Sequence, residues 1–194
     1  MTTQEAAERA SARERLLAAA SELFYAEGVH TVGIDRVIER AGVAKASLYN
    51  TFGSKDELVR AYLEGRHAQT AERITHYLER YSDPRDRLLG VFEAQGELFA
   101  APGFRGCAFV SASAESPGEL VEQASRDYRG WVRNLLVGLA REAGAPSPEA
   151  LGRQLHMIYD GASLSARMDH DPSASVAARA AAEALLDAAL AAGR

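Results

Sequence analysis

At 194 residues the chain is long enough for one generous domain, or for a small domain joined to a larger one. A composition of 47% hydrophobic and 25% charged residues can bury a real core and excludes disorder as a description of the whole. The formal charge of −5 excludes a uniformly basic nucleic-acid coat, and the one cysteine, Cys107, excludes an internal disulfide framework.

The first ten residues, MTTQEAAERA, hold no apolar segment of the kind a secretory signal needs. No run approaches the roughly 20 apolar residues that span a bilayer, so the expected location is cytoplasmic, with no membrane partner. Apolar residues then recur at helical spacing almost everywhere. The first predicted helix covers 11–27: Ser11 and Glu14 have capping-box spacing, Leu16, Ala20, Leu23 and Phe24 share a face, and Gly28 ends it. A short helix over 34–41 carries Ile34, Val37, Ile38 and Ala41 on one side, and Gly42 stands where a C-terminal glycine belongs. Another covers 44–51. Ser54 and Glu57 open a long helix to about Tyr81, and Asp83-Pro84 starts the next, over 84–100.

Pro102-Gly103 predicts a turn and 107–113 a short helical segment. Ser116, Pro117 and Glu119 predict a helix of 117–143. Ser147 is expected to cap a helix over 148–168, and the last helix covers 174–192. The expected fold is therefore all-α with about nine helices. A three-helix N-terminal domain, 1–55, is linked by the helix 54–81 to a larger C-terminal helical bundle, 56–194.

Helices 34–41 and 44–51 are joined by Ala41-Gly42-Val43-Ala44, the spacing of a helix-turn-helix. From Arg40 to Lys55 there are three cations and no carboxylate, and both lysines of the chain, Lys45 and Lys55, lie there. At 100° per residue Ala44, Leu48 and Phe52 fall on one side of the third helix and Lys45, Ala46, Tyr49 and Asn50 on the other. Lys45 and Tyr49 can hold phosphate oxygens, Asn50 a phosphate or a base edge, and Ala46 permits close approach or a thymine-methyl contact. Two helices packed through a glycine turn also occur with no nucleic-acid role, and spacing alone leaves both readings open.

Residues 13–63 resemble the DNA-binding domain of the tetracycline-repressor (TetR) family. The resemblance rests on Phe24 and Gly28 closing the first helix, the Ala41-Gly42-Val43 turn, Leu48-Tyr49-x-x-Phe52 and Ser54-Lys55-x-x-Leu58. It implies that Lys45, Ala46 and Ser47 face bases or nearby backbone and that Tyr49, Asn50 and Lys55 hold phosphates of double-stranded operator DNA. Two positions depart from the family's pattern. Gly33 stands where many members have Ser or Thr, with Thr31 displaced upstream, and Ala44 replaces a common serine; all three count among the candidate DNA-facing residues.

The resemblance also implies a small-molecule effector site in the bundle and a homodimer. Candidate effector residues are Phe92, Gln95, Phe99, Tyr128, Trp131, His156, Met157 and Asp160. The alanine- and leucine-rich last helix, with the helix 148–168, is expected to form a four-helix interface through Leu151, Leu155, Val176, Ala180, Ala184, Leu185 and Ala188. Five histidines without an i, i+4 pair or a cysteine partner offer no metal site. No catalytic set or cofactor fingerprint occurs, so no enzyme activity and no cofactor is expected. Cys107 beside Ala108 and Phe109 reads as a small core residue, with a sensing role left open. The expected function is a ligand-responsive transcriptional regulator, most simply a repressor released from a palindromic operator by a small apolar or amphipathic effector. The alternatives are an activator and a small-molecule-binding protein with a vestigial helix-turn-helix.

Overall fold

The computed structural model describes residues 11–193; residues 1–10 of the expected N-terminal domain lie outside the described residues. Among the described residues there are nine helices and no strand. They are α1 (Ala12–Glu27), α2 (Ile34–Ala41), α3 (Lys45–Phe52), α4 (Lys55–Leu78), α5 (Pro84–Ala100), α6 (Ala108–Glu115), α7 (Glu119–Glu142), α8 (Pro148–Met168) and α9 (Ala174–Ala192). Among the described residues no helix is long and apolar enough to cross a membrane.

The chain forms two compact units, and sequence order does not separate them. The first takes the described residues up to Arg66 together with Ala108–Ser125; the second takes His67–Cys107 and Arg126 onward. This division by contacts falls within α4, and a piece of the middle of the chain joins the N-terminal helices.

In the first unit the Ser11–Glu14 capping box forms as expected, with Glu14 N–H donating to Ser11 Oγ at 3.2 Å and Ser11 N–H to Glu14 Oε2 at 2.7 Å. α1 packs on α2 and α3. Their apolar faces close a small core of Leu16, Leu23, Phe24, Val37, Leu48 and Leu58, to which α4 adds Tyr62 edge-on to Phe24. Gly42 adopts the left-handed conformation (φ 62°, ψ 43°). Its N–H donates to Glu39 O and the Val43 N–H to Ile38 O, the paired bonds of a Schellman turn. At Ser54 the hydroxyl accepts from Glu57 N–H at 3.1 Å, but the Glu57 carboxylate turns to Arg60 instead of closing a box. α6 enters this unit through Glu115, whose Oε2 accepts the His30 N–H. Gly28, at φ 93°, lies so close beneath that carboxylate that any Cβ there would run into it.

In the second unit α9 packs on α5 and α8, and α5 on α8. Asp83 caps α5 by accepting from Arg85 and Asp86 N–H groups, with Pro84 at the first position. Gly96 lets α5 approach Ser175 of α9, and half-buried ion pairs flank that contact: Arg85 to Glu183 at 2.7 Å and Arg179 to Glu93 at 2.6 Å. Three expectations at helix ends are corrected. Ser116 closes α6 by donating to Ala112 O rather than capping α7, which begins at Glu119. Ser147 precedes α8 but its side chain makes no capping bond. α4 ends at Leu78, and Arg80 and Tyr81 continue in tighter turns.

Gly152 of α8 sits against Val137 of α7, where a Cβ would come within 3.1 Å of the Val137 backbone, which cannot move aside cheaply. Gly152→Ala is expected to lose about 1–3 kcal/mol by overpacking. Gly138→Ala, on α7 with nothing within 4 Å of the new methyl, should be neutral or gain up to about 1 kcal/mol. Urea unfolding midpoints of the two variants check the contrast.

Candidate nucleic-acid interface and effector site

The local sequence of α3 decides what it can offer. Leu48 is fully buried and anchors the helix, so the residues a quarter-turn and more away face outward. Ala44, Lys45, Ala46 and Asn50 are exposed, Tyr49 is 46% exposed, and Ser47 is half-buried with its carbonyl accepting the Thr51 hydroxyl at 2.6 Å. Thr31 and Gly33 are exposed at the start of α2, where Gly33 is the N-cap without a side-chain bond, and Lys55 is half-buried at the first position of α4. The structure therefore brings every candidate DNA-facing residue into the first unit, with the outward strip of α3 at its centre.

The cation-only stretch of sequence is not a bare positive patch in space. Lys45 Nζ lies 2.8 Å from Asp35 Oδ1 on the first turn of α2, and this hydrogen bond holds the Lys45 ammonium above its ordinary pKa. Arg40 pairs with Glu22 at 2.8 Å, and Arg36 with Glu27. The Lys45 and Asp35 side chains are 59% and 82% exposed, so their bond is weak in water and easily exchanged for a phosphate. Asp35 escaped the sequence reading. A helix-turn-helix sets the start of α2 beside the start of α3, and applying that geometry would have found it.

In the second unit the polar groups gather around Tyr159 of α8. Gln95 of α5, 3% exposed, donates from Nε2 to the Tyr159 carbonyl at 2.8 Å, and the hydroxyls of Tyr128 and Tyr159 are 3.4 Å apart. Phe92 packs edge-on to Tyr159 at 6.4 Å. Burial raises the Tyr159 phenol to about 12, and burial likewise holds Tyr128 well above its ordinary value, so both stay protonated hydrogen-bonding groups. His67 stands edge-on to Tyr128 and 5.1 Å from half-buried Trp131; burial lowers its pKa. His156 is buried with Nε2 3.7 Å from Asp160 Oδ1, and burial lowers its pKa against the pull of that carboxylate. Asp160 is itself paired with Arg129 at 2.8 Å. Phe99 is buried farther along α5 against Phe104.

Three assignments made from spacing are corrected by where α8 turns its faces. Met157 is 74% exposed and belongs to no buried cluster. Leu151 and Leu155 are 3% and 0% exposed and lie in the core of the chain itself. The outward stripe is instead Met157, Gly161, Leu164 and Met168, at intervals of four, three and four residues. On α9 the expected Val176, Ala180, Ala184 and Ala188 are exposed, and Leu185 is half-buried. The helical pattern of α8 carries two apolar stripes, and only the helices packed around it decide which one faces outward.

The family model for bacterial regulatory proteins of the tetR family matches residues 16–62. The transcriptional activator FasR of Mycolicibacterium smegmatis is 40% identical over 82 residues, 42% of this chain and 37% of FasR. The transcriptional repressor NemR of Escherichia coli is 33% identical over 105 residues, 53% of each chain. The chain thus spans about half or less of the curated relatives it matches. The reduced form of E. coli NemR superposes with a TM-score of 0.79 at 26% identity, over 88% of this chain and 94% of that one. SCO4454 of Streptomyces coelicolor, a TetR-family transcriptional regulator, superposes with a TM-score of 0.85 at 34% identity, over 92% of this chain and 95% of that one. With that identity and fold held over nearly the whole of both chains, the protein belongs to the TetR family of transcriptional regulators.

Proposed function

We propose that the protein is a dimeric, ligand-responsive regulator that binds a palindromic DNA operator, acts most simply as a repressor, and releases the operator when a small molecule occupies the second unit. The observation that carries the DNA-binding half is the outward strip Lys45, Ala46, Tyr49 and Asn50, presented by a helix whose opposite side is anchored by Leu48 behind a Schellman turn. A cation, a phenol and an amide beside a small residue supply phosphate contacts and one close approach to the groove floor. The repressor name of NemR supports repression; the activator name of FasR keeps activation as the second reading, and transcription in vitro from a captured promoter distinguishes them.

The exposed stripe of Met157, Leu164 and Met168 and the small-residue face of α9 support a homodimer. Large apolar side chains at 60–74% exposure on one helix face are costly to leave in water and cheap to pair with their own copy across a two-fold axis. Two copies of α3 would then read half-sites about one helical turn apart. Ligand and DNA must weaken each other by the same factor if each prefers a different state of the dimer.

Lys45→Ala is expected to weaken operator binding and to reduce the log–log salt slope by about one unit per protomer. Asp35→Asn, which frees Lys45 from its intramolecular partner, is expected to tighten binding at low salt. Fluorescence anisotropy on captured genomic DNA over a salt series measures both, and an unchanged slope for Lys45→Ala would remove that side chain from the interface. A protein that retains its fold and binds no fragment at any salt would leave the vestigial reading.

Because Leu164 is exposed in the protomer, Leu164→Asp should leave each chain folded while burying two unpaired carboxylates in a dimer, at a cost of several kcal/mol. Light scattering is expected to show monomers with unchanged helical circular dichroism. A normal dimer would move the interface off α8.

A further inference from the structure

Away from the groups around Tyr159, α7 and α8 enclose a groove of about 400 Å³ with an almost wholly polar lining. Arg133, Asn134, Val137 and Arg141 come from α7, and Glu149 and Arg153 from α8. All six belong to the second unit. Helical spacing gathers them: Arg133, Val137 and Arg141 recur at every fourth residue along one face of α7, and Glu149 and Arg153 do so on α8. Gly152, the neighbour of Arg153, has no Cβ and lets α8 close against Val137. The helices meet there, Val137 is half-buried, and the three arginines stand exposed around the space.

The charges in this groove do not balance. Three guanidiniums face one carboxylate, in a chain whose net charge is −5. Arg141 pairs with Glu149 at 2.7 Å, but both side chains are largely exposed, so the bond is weak in water and readily exchanged. Among the described residues no ion pair takes up Arg133 or Arg153. Like charges held around one space repel, and a counter-anion removes that cost. Each guanidinium fork can donate two parallel hydrogen bonds to a phosphate. A single phosphate, with the bulk of a few waters of about 30 Å³ each, leaves most of the groove unfilled, whereas linked phosphates offer oxygens to each arginine. The lining holds no aromatic ring on which a flat body could stack. We propose that the groove binds a di- or triphosphate chain, free or carried by a larger molecule, held by Arg133 and Arg153 and by Arg141 in exchange for Glu149. This site depends neither on the effector site of the second unit nor on the DNA-facing strip of α3.

Calorimetric titration of the full-length protein with tripolyphosphate, free of magnesium and at constant ionic strength, tests it, with orthophosphate and adenosine triphosphate as comparisons. Tripolyphosphate is expected to bind about tenfold or more tighter than orthophosphate, because it engages at least one further guanidinium. Adenosine triphosphate that matches tripolyphosphate supports a carried chain as occupant, and much weaker binding supports the free chain. Arg133→Gln and Arg153→Gln should each weaken tripolyphosphate by about tenfold, as loss of a charge-assisted hydrogen bond implies. Arg80→Gln removes the same charge from an exposed pair outside the groove and should change the affinity by about twofold at most. Glu149→Gln, which frees Arg141, should tighten binding. These side chains are exposed, and unchanged helical circular dichroism checks that each variant folds. No binding, equal affinity for tripolyphosphate and orthophosphate, or an Arg80→Gln loss as large as that of Arg153→Gln would overturn the site. Loss of binding in Lys45→Ala with Arg153→Gln unaffected would overturn it too, by moving the anion to α3, and would leave the DNA-binding reading intact.

Discussion

The left-handed turn at Gly42 is the constraint on which the reading head depends. Its two backbone bonds, to Glu39 O and from Val43 to Ile38 O, end α2 and aim the chain into α3 without a longer connection. A side chain at φ 62° would be strained, and a looser turn would let α3 rotate about its axis. Rotation by one residue, about 100°, would take Leu48 out of the core and turn the Lys45–Tyr49–Asn50 strip toward it. The small core of the first unit cannot absorb that loss, because full burial of one leucine is worth about 1.5–3 kcal/mol in a domain with little to spare. Recognition and stability are therefore set by the same few bonds. The residues that could touch DNA hold their direction because the residues behind them are buried.

The second unit applies a related economy to polar groups. Its walls are mostly rings and aliphatic chains, so each buried heteroatom is conspicuous and needs an explanation. Tyr128 and Tyr159 satisfy one another, and Asp160 has Arg129. Gln95 is half-satisfied by design of its geometry: once its N–H is committed to the Tyr159 carbonyl, its oxygen can only accept. Specificity in such a site comes from two or three directional groups, while the rings supply most of the contact area.

Most of the architecture was legible in the chain because it is written locally. Helical periodicity, the Ser11–Glu14 box, Asp83-Pro84 and Gly42 each act within a few residues, and each element they predict is present, with ends shifted by three residues at most. What was not legible depends on residues distant in sequence. The run from Arg40 to Lys55 looked uncompensated because Glu22 and Asp35 lie outside it, yet they neutralise Arg40 and Lys45 in space. The two stripes of α8, Leu151–Leu155 and Met157–Leu164–Met168, are equally apolar, and only the positions of α5, α7 and α9 determine which is inside. Ser116 has the spacing of a cap and instead terminates the preceding helix, since Pro117-Gly118 breaks the chain before α7 can begin. Of the candidate effector residues, Phe92, Gln95, Phe99, Tyr128 and His156 are buried. Tyr159, at the centre of the cluster, is not among those candidates, because nothing local distinguishes it from other apolar-face residues.

The carboxylate of Glu115 resting over Gly28 has a consequence for anyone recombining such proteins. Sequence order alone would place the end of the head in the fourth helix, as a cassette to be cut there. Here Ala108–Ser125 belongs to the same compact unit as the N-terminal helices, and Glu115 fills the space that a glycine at position 28 leaves open. A graft of the first 66 residues alone would carry Gly28 without its acid and leave the His30 amide to whatever side chain the recipient supplies. The portable module in this chain is discontinuous, and a hybrid that keeps it whole needs two segments of the donor, not one.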